Sequence, residues 1–363
     1  MRPSRVTVDL SAITANVAAF VNHVDGALVC PAVKADGYGH GDVPVAEAAI
    51  AGGAQRLCVA TVDEGIRLRE AGISVPILLL SEPIAGMVKA VVDWDLMPTV
   101  YSPWFVEALA SVTTLPKSVH LKVDTGMHRV GAALDQAVAI ALTVARQPNL
   151  VLEGVWSHLA VADTDPDYTA LQRDRFVGVL DELASVGIEP PLRHLANTAG
   201  IFLGREYWYD LVRPGIGVYG LSPHPETVGP IDLVPALRVE SAVSHVQRLS
   251  AGERPSYGRR RPLKVDSTVV TVPIGYADGY GRGLSDAEVL IGGQRYPLAG
   301  TVTMDQIMVD VGDADVRLGD AVVLLGRQGG EEITATELAG QLGTINYEVV
   351  CRLGPRLRRV YET

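Results

Sequence analysis

Short apolar runs alternate with amphipathic stretches from about residue 10 to residue 231. The runs at 27–33, 56–59, 77–80, 97–100, 118–123, 150–156, 192–194 and 211–212 are largely apolar. Strands buried on both faces of a parallel sheet read this way. Between them, 43–52, 62–71, 104–109, 134–146 and 167–186 carry helical spacing. Repeated strand–helix units favour a parallel sheet, and about eight of them predict a closed α/β barrel, the TIM (β/α)8 fold. An open doubly wound sheet is the alternative, but no Rossmann fingerprint follows the first strand.

The pattern changes near 231–233. Short alternating runs follow at 236–244, 267–273, 288–291, 294–297, 306–311 and 321–325, separated by Gly-containing turns. These predict a mainly antiparallel β domain. The stretch 332–342 is the one clear helix there, with Thr334 or Thr336 as its cap. The expected division is therefore a barrel over 10–231 and a β domain over 232–363.

Composition narrows the function. A chain of 363 residues exceeds the usual single domain, and 48% hydrophobic content supports a large core. A net charge of −11 argues against nucleic acid or an anionic membrane as partner. Cys30, Cys58 and Cys351 show neither metal spacing nor a disulfide framework, so no metal is expected and a reducing compartment fits. No signal-peptide core or membrane-length apolar run is visible, which predicts a soluble cytoplasmic protein.

The stretch with the strongest chemical content is Ala32-Val33-Lys34-Ala35-Asp36-Gly37-Tyr38-Gly39-His40-Gly41. A buried strand delivers one lysine at its C-terminal end, just before a Gly-rich turn. In a barrel that edge is where chemistry happens. A lysine shielded from water there can lose its proton and form a Schiff base with a carbonyl.

This segment closely resembles the lysine motif of the alanine racemases. The resemblance recurs, in order, at Lys122-Val123-Asp124-Thr125-Gly126-Met127-His128-Arg129, Trp156-Ser157-His158-Leu159-Ala160, His194-Leu195-Ala196-Asn197-Thr198, the Arg213–Gly220 run, Ser256-Tyr257-Gly258, Gly275-Tyr276-Ala277-Asp278-Gly279-Tyr280 and Met304-Asp305-Gln306. It implies a pyridoxal 5'-phosphate enzyme that interconverts L-alanine and D-alanine, supplying D-alanine for peptidoglycan. It also assigns an N-terminal strand within 1–9 to the second domain. A racemase of another small amino acid such as serine, a decarboxylase of the same barrel class, and a non-catalytic carrier of the cofactor are the alternatives. The β domain of over 120 residues sets the chain apart from the carriers, which resemble only the barrel.

The resemblance also implies roles. Lys34 would anchor the cofactor and act as one base, and Tyr257 would be the second, reaching the site from the partner subunit of a homodimer with shared active sites. Arg213 would face the pyridine nitrogen. Tyr38, Asn197, Thr198, Gly215 and Ile216 would hold the cofactor, chiefly its phosphate, and His158 would stack on its ring. Arg129 and Met304 would bind the substrate carboxylate, and Tyr276 and Asp305 would line the substrate's path in. Lys122 would be carbamylated and would orient Arg129. Two positions depart from the pattern: Thr303 replaces a cysteine, and Pro355 stands where the family carries a late tyrosine.

Overall fold

The computed structural model describes residues 2–227 and 229–363, which form two compact units. One comprises Ala12–Gly37 and Asp42–Val234; the other comprises Met1–Ser11, Tyr38–Gly41 and Pro235–Thr363. The eighteen strands among the described residues are numbered in chain order, with β1 (Arg5–Asp9) in the second unit.

The first unit is a barrel. Its strands are β2 (Leu28–Val29), β3 (Leu57–Val59), β4 (Ile77–Leu79), β5 (Thr99–Val100), β6 (Lys117–Lys122), β7 (Leu150–Trp156), β8 (Leu192–His194) and β9 (Leu211–Val212). Parallel ladders join β3 to β4, β5 through β8 in order, and β9 back to β2. Parallel bridges at Ala32–Cys58 and Leu78–Met97 close two gaps. Backbone bonds from Asp210 N to Arg193 O and from Arg213 N to Ala196 O, each 3.0 Å, close the last. The ring of eight parallel strands is complete, as the alternation of apolar runs predicts.

The helices between strands have local causes. Val62–Glu70 begins at a capping box in which Thr61 and Glu64 satisfy each other's backbone donors. Pro166–Ser185 starts with proline at its first turn and Asp165 as cap, accepting from Tyr168 N. Each turns an apolar face inward; Phe105, Phe176, Leu68 and Leu109 are fully buried.

The second unit continues with β10 (Leu237–Ala242), β11 (His245–Leu249), β12 (Ser267–Val272), β13 (Glu288–Ile291), β14 (Gln294–Pro297), β15 (Ile307–Gly312), β16 (Ala321–Gln328), β17 (Glu331–Ile333) and β18 (Arg358–Glu362). One sheet runs β14-β13-β16-β10-β1-β18, with β17 beside β16; the other runs β11-β12-β15. Every pairing is antiparallel except β1 with β18. The predicted helix at 332–342 is shorter. Glu331–Ile333 extends as β17, and Thr334, accepting from Glu337 N at 3.0 Å, caps a helix over Ala335–Leu342.

Candidate active site

Most of the barrel unit's sequence-predicted residues gather at the C-terminal edge of the strands. Lys34 follows β2 and opens a left-handed turn over Lys34–Tyr38, with φ of 53°, 54° and 58° at Ala35, Asp36 and Gly37. Alanine and aspartate rarely adopt this region, so each costs about 1 kcal/mol or more. The turn is held from outside. Glu64 accepts from Ala35 N at 2.7 Å, Gly37 N donates to Val33 O at 3.0 Å, and Asp36 accepts from Asp42 N at 3.2 Å. Asp42 is itself fixed by Arg67. Nζ of the half-buried Lys34 makes no hydrogen bond or ion pair among the described residues.

Arg213, just past β9, is 4% exposed and has no carboxylate partner. Its Nη1 donates to His194 Nδ1 at 2.7 Å, and its Nη2 donates to Ser157 O at 2.7 Å and Leu195 O at 3.1 Å. Its Nε–H makes no bond among the described residues. Burial lowers the guanidinium pKa to about 10. The indole of Trp156 supports the charge, with Cζ 4.5 Å from the ring centroid.

Lys122 ends β6 and is 3% exposed. Its Nζ donates to Leu80 O at 3.2 Å and lies 4.2 Å from the centroid of the same Trp156 ring. Burial is the main cause that brings its pKa down to about 7; Arg129, Arg213 and Lys34 press in the same direction and Asp124 opposes them. Arg129 is exposed on the loop after β6. His158, two residues beyond β7, is held neutral by burial first and by those same four cations next.

Beyond β8, Asn197 caps the helix Thr198–Leu203 and accepts from Gly200 N at 3.0 Å. Thr198 Oγ1 accepts from Gly215 N at 2.9 Å and Gly217 N at 3.4 Å. This ties the turn that follows β9 to the end of β8. Ile216 opens the short 3-10 turn Ile216–Tyr219.

Tyr38 is buried in the second unit, its ring 6.2 Å from that of Tyr347. The other predicted residues of that unit share one cluster of loops. Tyr257 lies in a turn with φ of 71° at Ser256 and 74° at Gly258. Thr301 Oγ1 donates to Tyr257 O at 3.0 Å, and Ser256 Oγ donates to Thr301 O. Tyr276 N and Ala277 N donate to Thr303 O and Met304 O, each at 3.0 Å. A Cβ on Gly275 would stand 2.3 Å from Thr303 O, so only glycine allows that approach. Asp305 pairs with Arg356 at 2.7 Å, directly after Pro355. Tyr257 is 67% exposed and Met304 52%.

Sequence reasoning quoted His194 and Trp156 in motifs but gave neither a role, and it passed over His120. The available signal was position. A histidine at the end of β8 and a tryptophan at the end of β7 both point to where Arg213 emerges.

The alanine racemase N-terminal domain family matches residues 8–223, and the C-terminal domain family matches residues 236–361. An alanine racemase of Symbiobacterium thermophilum is 47% identical over 99% of this chain and 97% of its own. The crystal structure of alanine racemase from E. faecalis superposes with a TM-score of 0.95, at 38% identity, covering 99% of this chain and 98% of that one. A histidine racemase from Leuconostoc mesenteroides superposes at 0.92, with 29% identity over 100% and 98%.

Fold and relatives together define a racemase of the pyridoxal-phosphate class. The chain belongs to the alanine racemase family, whose members depend on pyridoxal 5'-phosphate. The residues present fit that cofactor. Lys34 is an unpaired amine, Arg213 keeps an uncommitted Nε–H, and Lys34, Arg129 and Arg213 offer positive charge suited to an anionic ligand.

Proposed function

We propose that the chain interconverts L-alanine and D-alanine, with Lys34 and Tyr257 as the two bases. The observation that carries this is the donor set at the barrel edge: the unpaired lysine Lys34, with Lys122 and Arg129 near it, and the buried Arg213 with one N–H uncommitted. Lys34 would hold the cofactor through its unpaired amine and, with substrate bound, would serve as a base. Pyridoxal phosphate, when bound, supplies an electron sink for the α-carbanion. Lys34 then moves a proton at the α-carbon on one face, and the Tyr257 phenol moves one on the other. A proton removed on one side and returned on the opposite side inverts the centre.

Arg213 would donate its uncommitted Nε–H to the cofactor's ring nitrogen and, having no lone pair, could not supply the acceptor that holds a proton there, so the electron sink would be moderate and transamination disfavoured. Ile216 would offer its backbone N–H to the phosphate, and Gly215, whose N–H bonds Thr198 Oγ1, would join it by releasing that bond; Thr198, Asn197 and Tyr38 are the further groups assigned to hold the cofactor. His158, kept neutral, gives a flat ring for stacking. Arg129 and Met304 receive the substrate carboxylate, and Tyr276 and Asp305 line its path in.

Lys122, with a pKa of about 7, is substantially neutral at working pH and can add to carbon dioxide, losing a proton. The resulting carbamate would face Arg129 with attraction in place of repulsion. The active form is a homodimer in which Tyr257 serves the partner's barrel; its 67% exposure leaves the phenol available for that. The setting is cytoplasmic and the product D-alanine feeds peptidoglycan. Among the described residues no helix is long and apolar enough to cross a membrane.

Incubation of the cofactor-loaded protein with L-alanine, L-serine and L-histidine tests the reading. D-alanine forming fastest supports it. Faster turnover of another L-amino acid, or carbon dioxide release without racemisation, overturns it.

A further inference from the structure

Arg213 is not anchored by a carboxylate but by a histidine, and that histidine has a second one behind it. His194 Nε2 lies 2.8 Å from His120 Nδ1, with the rings in edge contact at 5.0 Å between centroids. Both histidines are fully buried. The proton positions follow from the guanidinium. Nη1 of Arg213 carries only donors, so His194 Nδ1 accepts. His194 must then carry its proton on Nε2 and donate to His120 Nδ1. His120 in turn carries its proton on Nε2, and that nitrogen is buried with no hydrogen-bond partner.

An unpaired buried N–H is costly and uncommon in folded proteins. The barrel accommodates the ring behind it in a second way. A Cβ at Gly154, in the middle of β7, would stand 2.3 Å from His120 Nδ1 and 2.5 Å from Cε1. The strand carries no side chain at the point where the imidazole lies.

We propose that His120 is a positioning residue: by accepting from His194 Nε2–H it stabilises the tautomer that Arg213 needs and thereby holds the orientation of Arg213, leaving its Nε–H without an acceptor among the described residues. The proposal rests on the role given to Arg213 at the cofactor's ring nitrogen. If the His194 proton moved to Nδ1, two N–H groups would face each other and the Nη1 anchor would be lost. The lock is tautomeric rather than protonic. Burial, with Arg56 and Arg213, holds His120 down to about 3 against the opposing Glu153 carboxylate, and burial with Arg213 and Arg56 keeps His194 neutral as well. Glu153 is already paired with Arg56 at 2.6 Å.

The first test needs no variant. Two-bond proton–nitrogen correlation spectra of the histidine-labelled apoprotein should show both rings in the Nε2–H form from about pH 5 to 9, where an ordinary imidazole would titrate. Either ring with its proton on Nδ1, or charged in that range, overturns the proposal. The second test compares His120→Leu with His120→Asn. Leucine removes the acceptor, so His194 should populate both tautomers and kcat should fall about a hundredfold with little change in KM, as small misplacements of reacting groups do. Asparagine, whose amide oxygen can take the place of Nδ1, should restore the Nε2–H form and most of kcat. A His194 that stays Nε2–H in the leucine variant, or an asparagine variant no better than leucine, overturns the proposal. A tautomer change with wild-type kcat would instead sink the role given to Arg213. Should the leucine variant not fold, the wild-type spectrum and the asparagine variant decide.

Discussion

The barrel edge and the loop cluster of the β unit carry chemistry in opposite ways. At the barrel edge the side chains are held within the protein's own packing. Arg213 and Lys122 are under 5% exposed, both lie over one indole, and the left-handed turn after Lys34 is tied down by Glu64 and Val33. In the loop cluster the backbone is laced together, while the side chains that matter stand in solvent; Tyr257 and Met304 are more than half exposed. The difference teaches that the barrel edge holds its side chains within its own packing, whereas the loop cluster fixes its backbone and leaves Tyr257 and Met304 open to solvent, as the proposed homodimer requires.

The largest way to break this comparison is Lys34→Ala. It should remove racemisation in both directions and the cofactor's absorbance band near about 420 nm. Retained turnover in a D-alanine assay would show that the barrel edge is not the reacting half.

Tyr257→Phe sharpens it. Rate from L-alanine should fall by about two to four orders of magnitude, the usual worth of a general base. Cofactor affinity, measured by titrating the apoprotein, should stay at the wild-type value, because the phenol belongs to the other half. Equal losses in both would blur the distinction.

Arg213→Glu should lower racemisation by about a hundredfold, in the range for loss of one preorganised electrostatic group. It should also raise slow transamination and absorbance near about 500 nm, since a carboxyl can hold a proton on the ring nitrogen. Loss of activity without either rise would reduce Arg213 to a packing residue.

The smallest effect concerns stability. Lys122 has a pKa of about 7 when folded, against roughly 10 in an unfolded chain. The unfolded chain binds more protons between those values. The apoprotein should therefore gain stability as pH rises from about 7 toward 10, with the full penalty present below 7. In buffer freed of carbon dioxide, Lys122→Met should raise apoprotein stability at pH 6 by about 2–4 kcal/mol, and by little near pH 10. Denaturant melts at the two pH values read this directly; a destabilised variant at pH 6 would contradict it.

The barrel was legible because buried parallel strands leave contiguous apolar runs, and each of the eight coincides with or overlaps a run. Strands β11, β17 and β18 were not. His245–Leu249 is exposed or half-exposed along its length, and Arg358–Glu362 is mostly charged, so neither shows a buried face in its pattern. The reactive residues could be named because each sits in a distinctive motif at a strand end. The pair behind Arg213 could not. His120 lies in mid-strand among apolar neighbours, and only the fold brings it to His194, 74 residues away. The glycine that makes room for it, Gly154, reads in sequence as a weak point in a strand.

The central claim is that the two halves belong to one reaction across two chains. Lys34→Ala and Tyr257→Phe, each inactive alone, are to be mixed under conditions where subunit exchange is confirmed. Random pairing should leave about half of the dimers mixed, each with one intact site, so activity should recover to about a quarter of wild type. No recovery after confirmed exchange would place both bases in a single chain and contradict the account.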